Sequence, residues 1–507
     1  MERRVAMTAA DAPTRQSVAR AVSWIGIGHL VSQGMWLASL LVLAALLSPR
    51  DFGTLASALV LVTLAGLLVD AGTRGSLIAK PRLTRADIGG AVVLNGAIGL
   101  GATLLIAALA GPAVETFAGG GDIAAVRALS AGVFLYALGI CAFALLQKNL
   151  RLKDYAAANI GSAVISSLIA VAAGVLGAGV WALVVRQLLS MGLLSAFAWI
   201  GARRLIPPRT AAERARRLPA LQLRQPQWTG FFLLAAADFA VLNADVFVVG
   251  NLTRARGLGL YSLAFTLAFA PLTQIAWQIG RVLFPAAAAT RRLQDVGRRT
   301  LVSLRLMALL LAPAVPPVLA LAPVLPEVLG SRWAPMVVPF QLLLAAGVGQ
   351  ALVSVIGESL SGTGNVWFRA RVNLVWAIAM VAALVVLVSV DGIRGAALAH
   401  LALFVPFGIA YAVFGTRRLG IDARSVASAL RPVALPVGVE ALVTAATVVA
   451  LRAAGTSAAL AGVAGAVAGV AMMSLLLARL PSSPLPEGRA VLAEALRRPA
   501  SRPAARS

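Results

Sequence analysis

The chain has 507 residues, of which 60% are hydrophobic and only 12% are charged. This composition excludes an ordinary soluble domain, in which about a quarter of the residues are charged. The net charge of +25 does not indicate nucleic-acid binding, because no soluble basic module with interleaved aromatic residues is present. Long apolar runs without two-residue alternation instead predict an all-α integral membrane protein.

Fourteen apolar stretches are each long enough to cross a hydrocarbon core of about 30 Å, which takes about 20 helical residues. In chain order they are 22–47, 53–73, 88–110, 124–146, 155–176, 180–200, 228–250, 258–280, 300–322, 336–356, 372–390, 395–414, 432–451 and 457–478. Their number predicts that both termini lie on the same side of the membrane.

The basic residues fall mostly into alternate gaps between these stretches, and cytoplasmic loops retain Lys and Arg. With both termini inside, the predicted outer loops hold only Arg50, Arg254, Arg256, Arg332, Arg394 and Arg452 of the 44 Lys and Arg. Adding or removing one helix would invert every later loop and destroy this bias. The pattern therefore predicts a multi-pass inner-membrane protein with both termini in the cytoplasm, in contact with anionic inner-leaflet lipid.

A long basic connection divides the chain into related halves. We predict a cytoplasmic N-terminus (1–21), an N-lobe of six helices (22–200), a basic cytoplasmic linker (201–227) and a C-lobe of six helices (228–431). Two further helices (432–478) and a disordered cytoplasmic tail (479–507) complete the chain.

A short internal repeat supports this division. When the chain is shifted by 206 residues, the segment 50–56 (RDFGTLA) lies over 256–262 (RGLGLYS), and Arg74-Gly75 falls beside Gly280-Arg281. Six helices separate the copies, so both run in the same direction. This predicts a parallel repeat with its pseudo-twofold axis along the membrane normal, as in several transporter folds.

The motifs of common enzyme classes are missing. No G-x-x-x-x-G-K-[ST] occurs, Cys141 is the only cysteine, and His29 and His400 lie in different spans without a partner at metal-ligand spacing. Acidic residues in the outer loops are scattered singly. We therefore expect neither an enzyme nor a bound cofactor or metal, with coupling to protons or a monovalent cation left open.

Ionisable residues inside the spans are costly and are therefore candidate sites. Asp70 and Arg74 stand four apart on one helix, either as a self-satisfied pair or as a site. Arg186 and Asp245 share a depth in different halves, where an ion pair between the halves is one interpretation. Asp238 has no partner in its own helix and is the best single candidate for proton or cation coupling. Asn243, Gln274 and Gln278 would line a polar cavity or make interhelical hydrogen bonds.

Several segments resemble known exporters in order and spacing. They are LLSPRDFGTLASALVLVTLAGLLVDAGTRGSLI, ALLQKNLRLKDYAAANI, GVWALVVRQL and NADVFVVGNLTRARGLGLYSLAFTLAFAPLTQIAWQIGRVLFP. Over most of residues 17–300 the chain resembles the polysaccharide flippases of the MOP superfamily, the O-unit and colanic-acid-type exporters of bacterial envelopes. Beyond residue 300 the resemblance is mainly in hydropathy.

This resemblance implies a MATE-like fold of two six-helix lobes around a central cavity, with two extra C-terminal helices. It implies alternating access, in which polyprenyl-diphosphate-linked oligosaccharide crosses to the outer leaflet for cell-surface polysaccharide synthesis, with polymerase or export machinery as further partners. The cavity would be lined by Asp70, Arg74, Asp238, Asn243, Asp245, Gln274, Gln278 and Arg281.

Arg74 and Arg281 occupy nearly equivalent positions in the two halves, at the predicted cytoplasmic ends of their helices. Together they would present two guanidinium groups to a diphosphate, which Lys cannot bind in the same paired geometry. The alternative is that both are topology anchors. Arg186 is a third candidate for substrate binding, and Asp70, Asp238 and Asp245 are candidates for ion coupling or gating.

Other functions remain open. A multidrug/cation antiporter of the same superfamily would favour acidic residues in the N-lobe cavity, where only Asp70 is available. A lipid II-type flippase would share the electrostatics of an oligosaccharide flippase. A membrane-bound polysaccharide polymerase or ligase would need a long outer loop with catalytic residues, and the sequence has none. A non-transporting scaffold is the remaining alternative.

Overall fold

The structure is a computed structural model that describes residues 15–70, 73–80, 83–117, 121–149, 151–208, 228–288, 290 and 292–479. The predicted N-terminal segment up to residue 14, most of the basic linker (209–227) and the predicted tail (480–507) lie outside the described residues. Within the described ranges every regular element is a helix and none is a strand. The predicted all-α membrane fold is therefore confirmed.

The first half of the chain contains seven helices. They are α1 (Arg15–Leu46), α2 (Pro49–Asp70), α3 (Thr73–Ala79), α4 (Arg85–Phe117), α5 (Ile123–Lys148), α6 (Leu152–Val175) and α7 (Val180–Ala202). Helix α5 packs against α2, α4 and α7, and α6 packs against α1 and α7. Most of α5 is buried, so it forms the centre of this half.

The second half contains α8 (Trp228–Ala288), α9 (Leu293–Leu311), α10 (Val315–Leu321), α11 (Leu325–Leu329), α12 (Val337–Gly362) and α13 (Val366–Ala410). A straight helix as long as α8 would extend about 90 Å, three times the apolar thickness of a bilayer. Instead α8 consists of two helices that meet at Arg254, whose φ is 59°. The Tyr261 hydroxyl donates a hydrogen bond to Asp245 at 2.7 Å, so the chain folds back at this point.

Helix α13 folds back in the same way at Asp391 and Gly392. A Cβ on Gly395 would clash with the backbone of Leu387, eight residues earlier, which requires two antiparallel arms in close contact. Helix α8 packs against both α12 and α13. Helices α14 (Ala423–Ala453) and α15 (Ala458–Arg479) then form a pair that lies against α9 and α10.

Ten helical segments of the described residues are long and apolar enough to cross a membrane. The chain is therefore a multi-pass membrane protein. The total of fourteen spans and the cytoplasmic location of both termini stay predictions.

The inner ends of two helices differ from the predicted bounds. The second span was predicted to end at residue 73, but a separate short helix, α3, runs from Thr73 to Ala79. The eighth span was predicted to end at residue 280, but α8 continues to Ala288. Both extensions contain mainly apolar and small residues, so the hydropathy limit was set too early. Arg74 consequently lies about 8 Å, and the Arg281 backbone about 10 Å, before the end of its helix.

The halves share one hydrophobic core at the predicted outer end. Its first-half members are Leu40, Leu43, Ala44, Leu47, Phe52, Ala170, Ala182 and Leu183, and they pack with a large set from the second half. These residues belong to the ends of α1, α2, α6 and α7 that meet the predicted outer loops. The other clusters of buried residues in the described ranges contain first-half residues alone.

Candidate functional site

Two glycines that the 206-residue shift aligns lie at the contact between the halves. A Cβ on Gly53 would stand 2.7 Å from the carbonyl carbon of Ala255 and closer still to its oxygen. A Cβ on Gly259 would stand 2.6 Å from the carbonyl carbon of Pro49, again closer to the oxygen. Real Cβ atoms do not approach so closely, so both contacts require glycine. We call these four residues the glycine junction.

The glycine junction is reciprocal. The same shift that aligns Gly53 with Gly259 aligns Pro49 with Ala255. Gly53 contacts Ala255, and its equivalent Gly259 contacts Pro49, which is the equivalent of Ala255. A twofold axis between parallel repeats requires such a pair of matching contacts. The junction lies in the outer core described above, so the halves are held together at the predicted outer end.

A second contact closes the same end. Gly330, with φ of 101°, leads into the short helical turn Ser331–Met336. From this turn the Trp333 indole donates to the carbonyl oxygen of Ala44 at 2.9 Å, and Arg332 donates to the carbonyl oxygens of Ala44 and Ala45. These carbonyls end α1, where a cation is favourable. Trp333 is fully buried, with its ring edge-on to Phe52 at 5.3 Å.

Arg74 lies deep in the first half. Its guanidinium donates to the Tyr136 hydroxyl at 3.0 Å, and it lies 5.8 Å from the centre of the Phe143 ring. Tyr136 is midway along α5, so the Arg74 guanidinium lies level with the middle of that helix rather than with its predicted cytoplasmic end. The preceding residue, Thr73, donates a hydrogen bond to Asn95 at 3.0 Å. Sequence reasoning missed Tyr136, whose only signal was a tyrosine inside an apolar span.

Arg186 and Asp245 do not pair, so that interpretation of the sequence is wrong. Arg186 is buried on α7 and donates to the carbonyl oxygen of Trp36 at 2.7 Å, with its guanidinium 5.0 Å from the centre of that indole ring. Asp245 has different partners in the second half. Equal depth failed as evidence because depth does not specify which way each helix faces.

Asp245, Tyr261 and His400 form a buried polar cluster in the second half, which we call the Asp245 cluster. Asp245 and His400 are 1% and 3% exposed. Asp245 accepts a hydrogen bond from Tyr261, and His400 Nε2 lies 3.5 Å from the same carboxylate oxygen. The His400 ring lies about equally far from the rings of Phe265 and Phe269. The cluster thus ties both arms of α8 to α13.

An ion pair links two helices at the predicted inner half of the second lobe. Arg369 at the start of α13 donates to Glu358 of α12 at 2.9 Å. Glu358 packs over Gly280, where a Cβ would stand 3.1 Å from its Cγ. The glutamate therefore lies next to the backbone that carries Arg281.

The remaining predicted site residues are only partly described. Asn243 donates to the Phe239 carbonyl oxygen of its own helix at 2.9 Å, and both Asn243 and Gln274 are half-buried. The side chains of Asp70, Asp238, Gln278 and Arg281 lie outside the described residues, although their backbones are helical. Whether they line a cavity stays a prediction.

The family model described as polysaccharide biosynthesis protein matches residues 42–338, more than half of the chain. The chain belongs to this family. Among curated proteins it is 26% identical over 402 residues to lipopolysaccharide biosynthesis protein WzxC of Escherichia coli K12, covering 76% of this chain and 78% of that protein. It is also 26% identical to succinoglycan biosynthesis transport protein ExoT of Rhizobium meliloti, covering 63% of this chain and 64% of ExoT.

Solved structures show the same fold as this polysaccharide biosynthesis family member. Lipid II flippase MurJ in an inward closed conformation matches with a TM-score of 0.67 at 11% identity, over 89% of this chain and 97% of that one. An inward-facing multidrug resistance MATE transporter of the MOP superfamily matches with a TM-score of 0.52 at 16% identity, over 78% and 94%. The predicted resemblance to the polysaccharide biosynthesis family is confirmed by the family model, and the predicted MATE-like fold is confirmed by these structures.

Proposed function

We propose that this protein is a flippase that moves polyprenyl-diphosphate-linked oligosaccharide from the inner to the outer leaflet of a bacterial inner membrane. Both termini are cytoplasmic, and the product supplies cell-surface polysaccharide synthesis. The observation that carries the proposal is the glycine junction, a reciprocal contact between parallel repeats at one end of the molecule. Such a contact suits alternating access, because parting it opens that end while the other end closes.

The family supports the polysaccharide part of this proposal. WzxC and ExoT are named for lipopolysaccharide and succinoglycan biosynthesis, and ExoT is named a transport protein. The hydrophobic lipid tail needs no aqueous path, whereas the sugar and diphosphate need a polar one. An arginine inside the bilayer is costly unless it serves such a path or finds polar partners.

Arg74 is our candidate to contact the diphosphate, with Arg281 as its counterpart in the second half. Its guanidinium donates a hydrogen bond to the Tyr136 hydroxyl inside the first half. An anionic headgroup that reached this depth would gain a charge-assisted hydrogen bond. Arg186, which is engaged with Trp36, is the weaker candidate and holds α7 against α1.

We assign the coupling of transport to an ion to a titratable site. Among the described residues, the Asp245 cluster is the candidate to bind a proton or a monovalent cation. Asp70 and Asp238 remain proposals for the same task. Anionic inner-leaflet lipid, and polymerase or export machinery, are proposed as partners.

The direct test is reconstitution of the purified protein into vesicles that contain a fluorescent undecaprenyl-diphosphate oligosaccharide. We expect the labelled lipid to become accessible to an impermeant quencher on the opposite face, faster than in protein-free vesicles. Lipid II and a cationic dye serve as parallel substrates, since the fold is shared with a lipid II flippase and a multidrug transporter. Preferential movement of either one would replace our proposal.

We predict that Arg74→Lys lowers the flipping rate at least about tenfold, because lysine keeps the charge but cannot bind phosphate oxygens in pairs. The rate is measured in the same vesicles at equal protein content. Tyr136→Phe separates substrate binding from anchoring, because it removes the hydrogen bond to Arg74 but keeps the guanidinium, and it should reduce flipping far less. Parental rates for Arg74→Lys and Arg281→Lys alike would leave both residues as topology anchors.

We predict the topology from single cysteines in a Cys141→Ser background. Arg292→Cys, on the short α8–α9 connection, should be protected from an impermeant thiol reagent in intact cells because it faces the cytoplasm. Ala454→Cys, on the α14–α15 connection, should be labelled. Both positions are exposed, so burial cannot explain a difference. Labelling of Arg292→Cys from outside would overturn the orientation.

A further inference from the structure

Helix α14 contains a carboxyl group that the transport cycle proposed above does not use. Glu440 is fully buried, and neither of its side-chain oxygens has a hydrogen-bond partner within the described residues. One turn further on the same helix, the buried Thr444 hydroxyl likewise has none. Unpartnered buried polar groups are rare in native structures, and two adjacent ones call for an explanation.

The neighbouring helix α15 shapes a small site around these groups. A Cβ on Gly469 would clash with Thr444 Oγ1 and would stand 3.4 Å from Glu440 Cγ. A Cβ on Gly465 would stand 3.0 Å from the Thr444 carbonyl oxygen. The glycines therefore let α15 cover the carboxyl directly. Leu435 and Leu442 on the other side of α14 are exposed, as expected for a helix that faces lipid.

Glu440 makes no ion pair within the described residues. On its own helix the nearest charges are Arg431 and Arg452, about 14 Å and 18 Å away along the axis. On α15 the only charged residue is Arg479, ten positions beyond Gly469. The other titratable or charged groups on elements packed against α14 are Asp295, Arg298, Arg299 and Arg305 of α9, and Tyr411, whose hydroxyl donates to Asn373.

A proton is the ligand that fits this site. An uncompensated carboxylate in the membrane interior costs several kcal/mol, so the neutral acid is favoured there. Hard cations take about six oxygen ligands, whereas Glu440 and Thr444 side chains offer three. Among the described residues no group of three or more His, Cys, Asp and Glu side chains could hold a metal.

We propose that Glu440 and Thr444 form a proton-binding site that makes the packing of α14 against α15 depend on pH. With the proton bound, the neutral carboxyl stays beneath the glycines of α15. When the proton leaves at alkaline pH, the carboxylate is more stable in contact with water and lipid headgroups than under α15. Helix α14 therefore separates from α15 at this point. The proposal concerns the C-terminal helix pair and stands whether or not the substrate proposed above is correct.

Disulfide formation across the helix pair tests the proposal. The pair Val448→Cys and Gly465→Cys in a Cys141→Ser background suits this, because a Cβ on Gly465 would stand 2.5 Å from Val448 Cγ2. We expect a membrane-permeable oxidant to cross-link this protein several-fold more slowly at alkaline pH than the same protein with Glu440→Gln. At mildly acidic pH the two rates should be equal. Because both proteins carry the same thiols, the comparison cancels the pH dependence of thiol chemistry.

Two further variants make the outcome decisive. Glu327→Gln makes the same change at an exposed carboxyl of the second half and should follow the parental pH profile. Glu440→Leu replaces the acid with an apolar side chain, which buried sites commonly tolerate, and should cross-link like Glu440→Gln. If the cross-linking rate depends on pH in the same way in the parental protein, Glu440→Gln and Glu440→Leu, the proposal is wrong. The infrared spectrum of the parental protein should contain a protonated-carboxyl band that is lost in Glu440→Gln. Absence of such a band would also overturn the proposal.

Discussion

Replacing Gly53 with alanine is expected to abolish export while the protein is still made and inserted. The added methyl group would overlap the carbonyl of Ala255, which is backbone and cannot rotate away. Such overpacking costs about 1–3 kcal/mol, occasionally more. Because about 1.4 kcal/mol is a tenfold change in an equilibrium, the closed junction would lose up to about a hundredfold in population. Gly259→Ala should act in the same way through Pro49.

The matched control for this prediction is Gly66→Ala on the same helix, since a Cβ there meets nothing within 4 Å. Export is measured against membrane abundance for all three variants. A cysteine at Ala255 reports the state of the junction, and its labelling from outside by an impermeant reagent should rise in Gly53→Ala. If Gly53→Ala exports as Gly66→Ala does, the junction does not take part in the cycle.

Changing Asp245 to asparagine should lower export at least about tenfold with little loss of protein. The amide keeps the shape of the carboxylate but carries no charge and cannot take up a proton or hold a cation. The Tyr261 hydroxyl would lose the carboxyl group to which it donates, and His400 would lose a neighbouring carboxyl oxygen. A typical hydrogen bond contributes about 0.5–1.5 kcal/mol. Part of the loss of export in Asp245→Asn is therefore caused by weaker packing. Comparison with Tyr261→Phe separates this part from the loss of ion coupling.

Tyr261→Phe removes the same hydrogen bond but leaves the carboxylate in place. If Asp245 is the coupling group, Tyr261→Phe should retain much more export than Asp245→Asn, with both measured at equal abundance. Asp391→Asn makes the identical change at an exposed residue near the fold-back of α13 and should export normally. Equal losses in Asp245→Asn and Tyr261→Phe would make the cluster structural and leave coupling to Asp70 or Asp238.

The sequence predicted features that depend on one-dimensional pattern. Apolar run length indicated the helical membrane fold, and the aligned glycines indicated the register of the repeat. The contact between them could not be foreseen, because a repeat specifies equivalence and not proximity. The inner ends of the second and eighth spans were misplaced because an arginine directly follows each predicted stop, and the helical residues beyond it are mainly apolar or small.

Side-chain partners were harder to predict than helices. Arg186 and Asp245 matched in depth, yet each faces a different neighbour. His400 has no partner at metal-ligand spacing in the sequence, and the fold-back of α13 brings it to Asp245, which is 155 positions earlier in the chain. The burial of Glu440 could not be predicted from its own helix, because its cover comes from two glycines on the next helix.

The reciprocity of the glycine junction also bears on the origin of the chain. In a symmetric dimer, one patch serves both subunits, and residue i contacts j while j contacts i. Gly53 on Ala255 and Gly259 on Pro49 repeat this arrangement within a single polypeptide. A half-length ancestor that paired in parallel with its own copy would have formed both contacts from one glycine and one carbonyl. Fusion of two such copies would then let each half diverge, so that the first half holds the Arg74–Tyr136 contact and the second holds the Asp245 cluster.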